Sequence, residues 1–289
     1  MWHSFNAKTR RPKGARRGIS VLSFASLLLR AFAFAQINTQ EESLPPLVHA
    51  HAHNDYEHTH PLFDALDHGF ASVEADIHLV DGQLLIAHDL KKDQPKGTLQ
   101  ALYLDPLRAR AVRCGGRIYT NGESTFYLLI DTKTGTNATY AVLRRVLLDY
   151  SDLLTEFSSN GVTRRAVTVV LTGNRPRDML AQEPARLAGL DGELSDLGQP
   201  DPKGLLLWVS ANWSKSFTWR GEGPIPPEER QRVRQIAGQA HELHAKARFW
   251  GAPDTPAFWR EMREDGVDLI NTDDLAGAEK FLRGTPPYD

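Results

Sequence analysis

Three features of the sequence predict an α/β fold and, within that class, a (β/α)8 TIM barrel. Short apolar runs alternate with helical segments along most of the chain, which is the order that a parallel sheet requires. Most of these runs are apolar throughout, as expected of strands that are covered on both faces. Residues 36–289, which follow a predicted export signal, have the length of one such barrel. A doubly wound open sheet is the second choice.

The first 35 residues have the composition of an export signal. A basic segment at 8–17 precedes an apolar run at 19–29, and a small-x-small cleavage site ends at Ala35. The apolar run is shorter than the roughly 20 residues of a membrane-spanning helix, and Arg30 interrupts it. We therefore expect cleavage near Ala35, a secreted, periplasmic or otherwise extracytoplasmic location, and no stable transmembrane anchor.

Charge and cysteine content exclude several classes of function. Removal of residues 1–35 lowers the formal net charge from −2 to −9, because that segment carries seven basic residues and no acidic ones. An acidic protein is a poor candidate for nucleic-acid binding, which needs a basic face. Cys114 is the only cysteine in the sequence, so an intrachain disulfide and a thiolate metal cluster are both excluded. No repeat or long linker divides residues 36–289, which we expect to form a single domain.

The first half of the chain shows strands and helices in alternation. Pro61 and Gly69 bound a short helical pattern, and Asp81-Gly82 joins two strand patterns as in a hairpin. The predicted elements are a strand at 46–53, a helix at 61–69, strands at 72–80 and 83–88, a helical stretch near 98–113, a strand at 125–134 and an amphipathic helix at 138–157.

The second half continues in the same order. The predicted strands are at 166–174, 204–212, 247–252 and 267–273, and the predicted helices include 227–245 and 256–264. Residues 185–192 have a weaker strand pattern than the other runs, so seven or eight strands are predicted. The last six residues are predicted to be a loose tail.

Histidines and acids concentrate on one face of the first two strands. Eight of the eleven histidines lie between residues 49 and 88. Because successive side chains of a strand alternate between its faces, the inward face is predicted to carry His49, His51 and His53 on the first strand and Glu74, Asp76 and His78 on the second.

The acids on this face predict a metal site. Two carboxylates inside a packed barrel would repel each other unless a cation lay between them, although an ion-paired strand without metal is the alternative. Asp131 ends a following strand, where barrel active sites collect. Three carboxylates form a hard oxygen site that suits Mg²⁺ or Ca²⁺. Lys133 shares a face with Asp131 and is predicted to bind an anionic group.

The chain resembles a known family over residues 48–134. "AHND", "GFASVEADIHLVDGQLLIAHD" and "LLIDTKT", in that order, are similar to the glycerophosphodiester phosphodiesterase-like branch of the phosphatidylinositol-phospholipase-C barrel superfamily. "WGAPDTPAFWREMREDGVDLINTDD" is more loosely similar to the last strands of that family. The resemblance implies a barrel, a divalent metal, and two histidines that act on a phosphodiester. Its matched positions are His53 and His88 for the catalytic pair, Glu74, Asp76 and Asp131 for the metal, and Lys133 for the phosphate side.

The chain departs from the family pattern in two places. His53-Asn54-Asp55 stands where typical members have His-Arg-Gly, and the third ligand is Asp131 rather than the frequent Glu. The motif is closest to a secreted subgroup with the pattern HxHNDY. The expected substrate is therefore a glycerophosphodiester or a phospholipid-type phosphodiester. The residues do not determine whether it is a small molecule or a lipid headgroup.

Several assignments have alternatives. His51 shares a face with His53 and is the other candidate for the first catalytic histidine. Asn54 either binds phosphate or caps the loop, and Trp250 either lines the pocket or packs in the core. The order of acid and base, and hydrolysis against a cyclic product, are not determined by the residues.

Two other functions compete with a phosphodiesterase. An amidohydrolase-type metal hydrolase also opens with His-x-His and would use Asp273, but it needs further histidines on the middle strands, which lack them. A non-catalytic barrel that binds a polyol or a lipid headgroup is the second alternative.

Overall fold

A computed structural model describes the first residue and residues 44–122 and 125–284. Apart from Met1, the predicted export signal lies outside these residues. The predicted C-terminal tail does so as well except for its first residue, Gly284, which ends the last helix. Both stay predictions. Within the described part of the chain, no helix combines the length and the apolar character that crossing a membrane requires.

The described strands alternate with helices as the sequence predicts. In chain order the strands are β1 (Ala50–Ala52), β2 (Ser72–Val80), β3 (Gln83–Ile86), β4 (Gly97–Thr98), β5 (Phe126–Thr132), β6 (Glu156–Ser158), β7 (Gly161–Thr163), β8 (Val167–Gly173), β9 (Ala185–Arg186), β10 (Ala188–Gly192), β11 (Leu206–Asn212), β12 (Lys246–Trp250) and β13 (Ile270–Thr272). The helices are α1 (Phe63–Asp67), α2 (Asp105–Arg113), α3 (Thr136–Asp149), α4 (Arg177–Gln182), α5 (Trp213–Ser216), α6 (Pro227–Glu242), α7 (Pro256–Glu264) and α8 (Leu275–Gly284). A π-helix, Gln100–Leu104, runs directly into α2.

Eight parallel strands close into a barrel. Their order is β12-β11-β10-β8-β5-β2-β1-β13, and a parallel bridge between Arg248 on β12 and Leu269 beside β13 joins the two ends. The (β/α)8 prediction is therefore confirmed, and the open-sheet alternative is wrong. The strand pattern at 185–192 contains a barrel strand, because β10 lies between β8 and β11. The short β9 before it belongs instead to a separate sheet with β6 and β7.

Apolar side chains cover both faces of the barrel strands. On the outside, the strands pack against the helices in one large core. Inside the barrel, Leu129, Val170, Trp208 and Leu269 form a second, smaller cluster that is almost fully buried. This inner cluster plugs the barrel, as expected of a packed barrel rather than a pore. Polar inward side chains lie above it, toward the carboxyl ends of the strands.

The sequence misplaced some boundaries. The helix predicted at 138–157 ends at Asp149, and residues 156–158 form β6 instead. Leu153 and Leu154 are buried where the chain returns to the barrel, and Leu154 forms a bridge with Val167. Their spacing continues the apolar pattern of the helix, so the predicted helix extended beyond the observed one. The first strand is shorter than predicted, so His53 comes just after β1.

Candidate functional site

A cavity of about 820 Å³ opens at the carboxyl ends of the barrel strands. Seven of the nine predicted site residues line it: His53, Asn54, Glu74, His88, Asp131, Lys133 and Trp250. The other two, His51 and Asp76, are fully buried behind its wall. The chain thus brings residues from separate strands to the end of the barrel where active sites collect.

The three predicted metal ligands form one cluster. Asp76 on β2 and Asp131 on β5 are direct neighbours in the parallel register, and ligand oxygens of Glu74, Asp76 and Asp131 lie within 4.8 Å of one another. Oδ1 of Asp76 and Oδ1 of Asp131 are buried and have no hydrogen-bond partner among the described residues. Unsatisfied buried carboxylate oxygens are costly, and a divalent cation would satisfy them. The donor set therefore fits an oxygen-ligated metal.

Gly173 makes room for this cluster. A Cβ atom at this position would lie 2.0 Å from Oδ1 of Asp131 and 2.8 Å from the carbonyl oxygen of Thr132. The φ of Gly173 is +70°, in the left-handed region that favours glycine. Any larger residue would push the Asp131 carboxylate away from its neighbours.

Lys133 lies against the acids rather than apart from them. Its Nζ is 2.9 Å from Oδ2 of Asp76 and 2.6 Å from Oδ2 of Asp131. These two ion pairs raise the pKa of Lys133, although burial alone would lower it. The ammonium group also lines the cavity, so it offers positive charge at the edge of the acid cluster.

The acids of the cluster differ in protonation. Burial, reinforced by the negative charge of Glu74, raises the pKa of Asp76 to about 7. Burial alone would also raise the pKa of Glu74, but the contact with His51 and the positive charge of Arg248 outweigh it and lower that pKa. Without a bound cation, the cluster therefore holds a proton on Asp76 at neutral pH more readily than on Glu74.

His53 is held at the cavity by an acid from the last strand. Its Nδ1 is 2.9 Å from Oδ1 of Asp273, which follows β13 and whose backbone N–H donates to Asp254. Burial alone would lower the pKa of His53, but the hydrogen bond to Asp273 and the charge of Glu74 raise it overall. With Nδ1 occupied, Nε2 is the ring nitrogen left for a ligand.

This contact also bears on the amidohydrolase alternative. Asp273 would have to be a metal ligand in such an enzyme, but it contacts His53. The three-residue group in the described chain that fits a metal contains Glu74, Asp76 and Asp131 and no histidine. The structure therefore gives that alternative no support.

His51 lies beneath the cavity. It is fully buried, with Nδ1 2.7 Å from Oγ of Ser72 and Nε2 3.0 Å from Nη1 of Arg248. Burial lowers its pKa to about 4, so the ring is neutral near pH 7. Since His53 borders the cavity and His51 does not, position favours His53 as the histidine that meets a ligand.

The remaining predicted residues lie around the rim. His88 is exposed and follows β3, where Nε2 of His78 lies 3.0 Å from the carbonyl oxygen of the adjacent Ala87. Asn54 adopts a left-handed backbone conformation and accepts a hydrogen bond from Tyr56. Trp250 is 38% exposed, so it lines the cavity and is not a core residue.

Sequence reasoning missed the residues on the far side of the cavity. Arg248 and Asp191 are buried and border the cavity from β12 and β10. Strand alternation places Arg248 on the same face as Trp250, two residues away. That signal was present in the sequence, but a single basic residue in an apolar strand does not show what it contacts. Asp191 belongs to the strand that the sequence predicted with doubt.

Two family models match the chain. The AIM6-like phosphodiesterase domain matches residues 42–187, and the glycerophosphoryl diester phosphodiesterase family matches residues 246–276. The first match covers β1 to β9 and includes the acid cluster and both predicted catalytic histidines. The second covers β12, which carries Arg248 and Trp250, and β13, which Asp273 follows.

Curated relatives extend the likeness over most of the chain. "Altered inheritance of mitochondria protein 6" of Eremothecium gossypii is 31% identical over 277 residues, which is 82% of this chain and 70% of that protein. The protein of the same name from Saccharomyces cerevisiae is 30% identical over 295 residues, 86% of this chain and 74% of that protein.

Solved structures with a similar course are more distant. A glycerophosphodiester phosphodiesterase from Agrobacterium tumefaciens aligns with a TM-score of 0.44 and 15% identity, over 81% of this chain and all of that one. A protein described as a glycerophosphoryl diester phosphodiesterase from Silicibacter pomeroyi aligns with a TM-score of 0.42 and 13% identity, over 84% and 96% of the two chains.

Proposed function

Because the chain belongs to the family of AIM6-like phosphodiesterase domains, we propose that it is a metal-dependent phosphodiesterase. Its substrate is a glycerophosphodiester or a phospholipid-type phosphodiester, and it acts outside the cytoplasm. One observation carries the proposal: a cluster of three carboxylates that fits a cation borders the same cavity as His53 and His88. Cation and histidines together are the groups that phosphodiester hydrolysis needs.

The metal is assigned to Glu74, Asp76 and Asp131. When bound, Mg²⁺ or Ca²⁺ supplies a positive charge that stabilises the negative charge growing on a phosphoryl oxygen. The orphan oxygens of Asp76 and Asp131 are the acceptors that remain for it after the hydrogen bonds within the protein are made. Lys133 adds a second positive charge beside them.

The two histidines are assigned the proton transfers. One removes a proton from the attacking water or substrate hydroxyl, and the other protonates the leaving oxygen; each transfer is worth about 10²- to 10⁴-fold in rate. Asp273 accepts the Nδ1 proton of His53, which fixes the tautomer and leaves Nε2 for the substrate. His88, which is exposed, follows β3 and lines the same cavity.

The cavity suits a small anionic ligand. Its volume lies within the roughly 300–1,000 Å³ of small-molecule sites. Four basic side chains border it, Lys133, Arg175, Lys215 and Arg248, beside four acidic ones, of which Glu74 and Asp131 are assigned to the metal. A phosphodiester headgroup carries the complementary negative charge.

The proposal is tested by hydrolysis of bis(p-nitrophenyl) phosphate and of glycerophosphodiesters, with Mg²⁺, Ca²⁺, Mn²⁺ or EDTA. We expect activity that EDTA, Glu74→Ala and His88→Ala each abolish. His60→Ala is the matched control, because His60 is exposed and pairs with Asp64 away from the cavity, and it should retain full activity. Activity that survives EDTA and both site variants would contradict the assignment. Tight metal binding without any hydrolysis would favour the headgroup-binding barrel.

The location outside the cytoplasm is supported by residues 1–35 alone. Expression of the whole chain, followed by N-terminal sequencing of the exported protein, should give a new N-terminus near residue 36. An intact N-terminus in the cytoplasmic fraction would contradict this part of the proposal.

A further inference from the structure

Arg248 carries a positive charge into the centre of the barrel, at the floor of the cavity. Its residue is only 3% exposed, yet it borders the cavity together with Glu74, Asp191 and Ser210. Removing a guanidinium from water is costly unless other groups compensate. The proposed roles of the histidines and the metal do not use this charge.

Neutral groups make the closest contacts with this guanidinium. Nε lies 3.0 Å from Oγ of Ser210, and Nη1 lies 3.0 Å from Nε2 of His51 and 2.9 Å from Oδ1 of Asn271. Arginine can only donate, so the ring that accepts from Arg248 carries its proton on Nδ1, which donates to Ser72. Nε2 also lies 3.5 Å from Oε2 of Glu74, a contact that becomes a hydrogen bond only when the ring is protonated on both nitrogens. His51 is therefore a neutral acceptor that orients the guanidinium.

The carboxylates stand farther away. Oε2 of Glu74 is 3.5 Å from Nη1, and Oδ2 of Asp191 is 3.5 Å from Nη2. Charge-assisted hydrogen bonds of this kind are about 2.7–2.9 Å long, so neither acid pairs closely with the arginine. Nη2 carries two hydrogens and has only this one long contact among the described residues. The positive charge therefore keeps a donor for a further acceptor.

The ring of Trp208 also packs against the guanidinium. The guanidinium carbon atom lies 5.7 Å from the centre of the Trp208 ring, and Trp208 belongs to the buried apolar plug of the barrel. Ser210, His51 and Asn271 come from three different strands. The guanidinium is thus held in place by neutral partners, and Nη2 keeps an unused donor. Such a preorganised cation can stabilise negative charge in a transition state without moving.

We propose that Arg248 is a further catalytic residue of this site, whose guanidinium donates to a non-bridging oxygen of the phosphodiester at the cavity floor. The inference rests on the proposed function, because it assigns Arg248 to the same substrate. It adds a resident positive charge from β12, opposite the acid cluster on β2 and β5. His51 then acts as a positioning residue for Arg248 and not as an acid or a base.

The test compares Arg248→Lys with the wild type at saturating divalent metal. Lysine keeps the charge but loses the planar set of donors, so kcat should fall by about 10²-fold or more. Mn²⁺ affinity, measured by titration calorimetry, should stay within about threefold, because lysine keeps the positive charge that acts on Glu74 and Arg248 does not contact the metal in this proposal. Ethylguanidinium should restore part of the activity of Arg248→Ala. Arg110→Lys is the matched control, because Arg110 is equally buried but bonds to the carbonyl oxygen of Ile118.

Two results would overturn the proposal. Arg248→Lys with a kcat within about threefold of the wild type would show that the donors are not used. A fall in kcat matched by an equal loss of Mn²⁺ affinity would make Arg248 a positioning residue for Glu74 instead.

If both Arg248 variants fail to fold, Ser210→Ala removes the Nε partner and keeps the charge. It should lower kcat by about tenfold with unchanged metal affinity, and full activity in that variant would contradict the proposal.

A second measurement tests the role of Arg248 even if the proposed function is wrong. If the wild type hydrolyses no phosphodiester, binding of dimethyl phosphate, an unreactive phosphodiester, still reports on Arg248. The wild type should then bind dimethyl phosphate at least about tenfold more tightly than Arg248→Lys, as expected for loss of a charge-assisted hydrogen bond. Equal binding by the two proteins would overturn the role of Arg248 independently of any activity.

Discussion

The two halves of the barrel mouth carry different kinds of chemistry. The half formed by β1, β2 and β5 brings acids together: Glu74, Asp76 and Asp131 share one cluster, with His53 beside it. The half formed by β10, β11 and β12 contributes Asp191, Ser210 and Arg248, which come one from each strand. In the first half, two of the acids, Glu74 and Asp76, lie on the same strand. In the second half, the three side chains come together only when the barrel closes.

We propose that this difference separates metal binding from substrate binding. In the first half, the unpartnered oxygens of Asp76 and Asp131 lie in one cluster that a cation would complete, whereas the unpartnered Oδ1 of Asp191 in the second half belongs to no such cluster among the described residues. In the second half, the charge of Arg248 is already surrounded by neutral partners at 2.9–3.0 Å. We therefore expect variants of the first half to change metal affinity and variants of the second half to change turnover at constant metal affinity.

The largest effect is expected from Glu74→Gln. Loss of one of three carboxylates should remove most metal binding, and with it a contribution of several kcal/mol, so that kcat/KM falls by about 10³-fold or more. Titration calorimetry with Mn²⁺ and steady-state kinetics measure the two quantities. Glu193→Gln is the control from the second half: Glu193 borders the same cavity but pairs with Arg175. Equal loss of metal affinity in both variants would erase the distinction between the halves.

The second effect concerns His53 and its partner Asp273. Because the hydrogen bond to Asp273 helps raise the pKa of His53, Asp273→Asn should lower that pKa. The limb of the kcat/KM profile that reports His53 should then move to lower pH, with a fall in the maximum of about 10- to 100-fold. Asp274→Asn is the control, since Asp274 accepts from Gly277 at the start of α8 and should leave the profile in place. An unchanged profile in Asp273→Asn would remove His53 from the proton transfers.

The third effect is a pH dependence of metal binding. Burial and the charge of Glu74 raise the pKa of Asp76 to about 7, so this carboxyl is protonated below that pH when no cation is bound. A metal must displace the proton, and its apparent affinity should fall by about tenfold for each pH unit below 7. Calorimetry at pH 6 and pH 8 in buffers of different ionisation enthalpy measures affinity and proton release together. Affinity that is constant between pH 6 and pH 8 would contradict the protonation assigned to Asp76.

The sequence predicted the first half of the mouth because its signals are local. Glu74 and Asp76 are two residues apart on one strand, so alternation alone places them on the same face. Asp131 was found from its position at the end of an apolar strand, and the register with Asp76 agrees with it. The barrel itself followed from the same apolar strands, which are covered by the helices outside and by the plug around Trp208 inside.

The second half could not be predicted in the same way. Arg248 reaches Glu74 across 174 positions of sequence, and His53 reaches Asp273 across 220. The first contact depends on the closure of the barrel where β12 meets β13, and the second depends on the pairing of β13 with β1. Local patterns also failed where buried loop residues imitated a helix, as Leu153 and Leu154 did after α3. Alternation shows which way a side chain faces, but the partner on the other side depends on tertiary closure.

Asp55 provides the smallest effect at the site and tests whether every buried acid of the first half is functional. It is fully buried, accepts from the backbone of Leu62 and from Tyr103, and does not line the cavity. Burial raises its pKa to about 7. A carboxyl whose folded pKa is raised stabilises the protein fully below its ordinary pKa, and the stabilisation is lost as pH rises through about 7.

Asp55→Asn removes this titration while retaining an acceptor for Leu62 and Tyr103. The free energy of unfolding of the variant, relative to the wild type, should therefore rise by about 2 kcal/mol between pH 5 and pH 8. Urea unfolding of both proteins at the two pH values measures this difference, and the comparison cancels the titration of Asp76, which both proteins share. Metal affinity and kcat should be unchanged, because Asp55 contacts neither the acid cluster nor the cavity. A loss of metal binding in Asp55→Asn would instead extend the functional half of the mouth into the loop after β1.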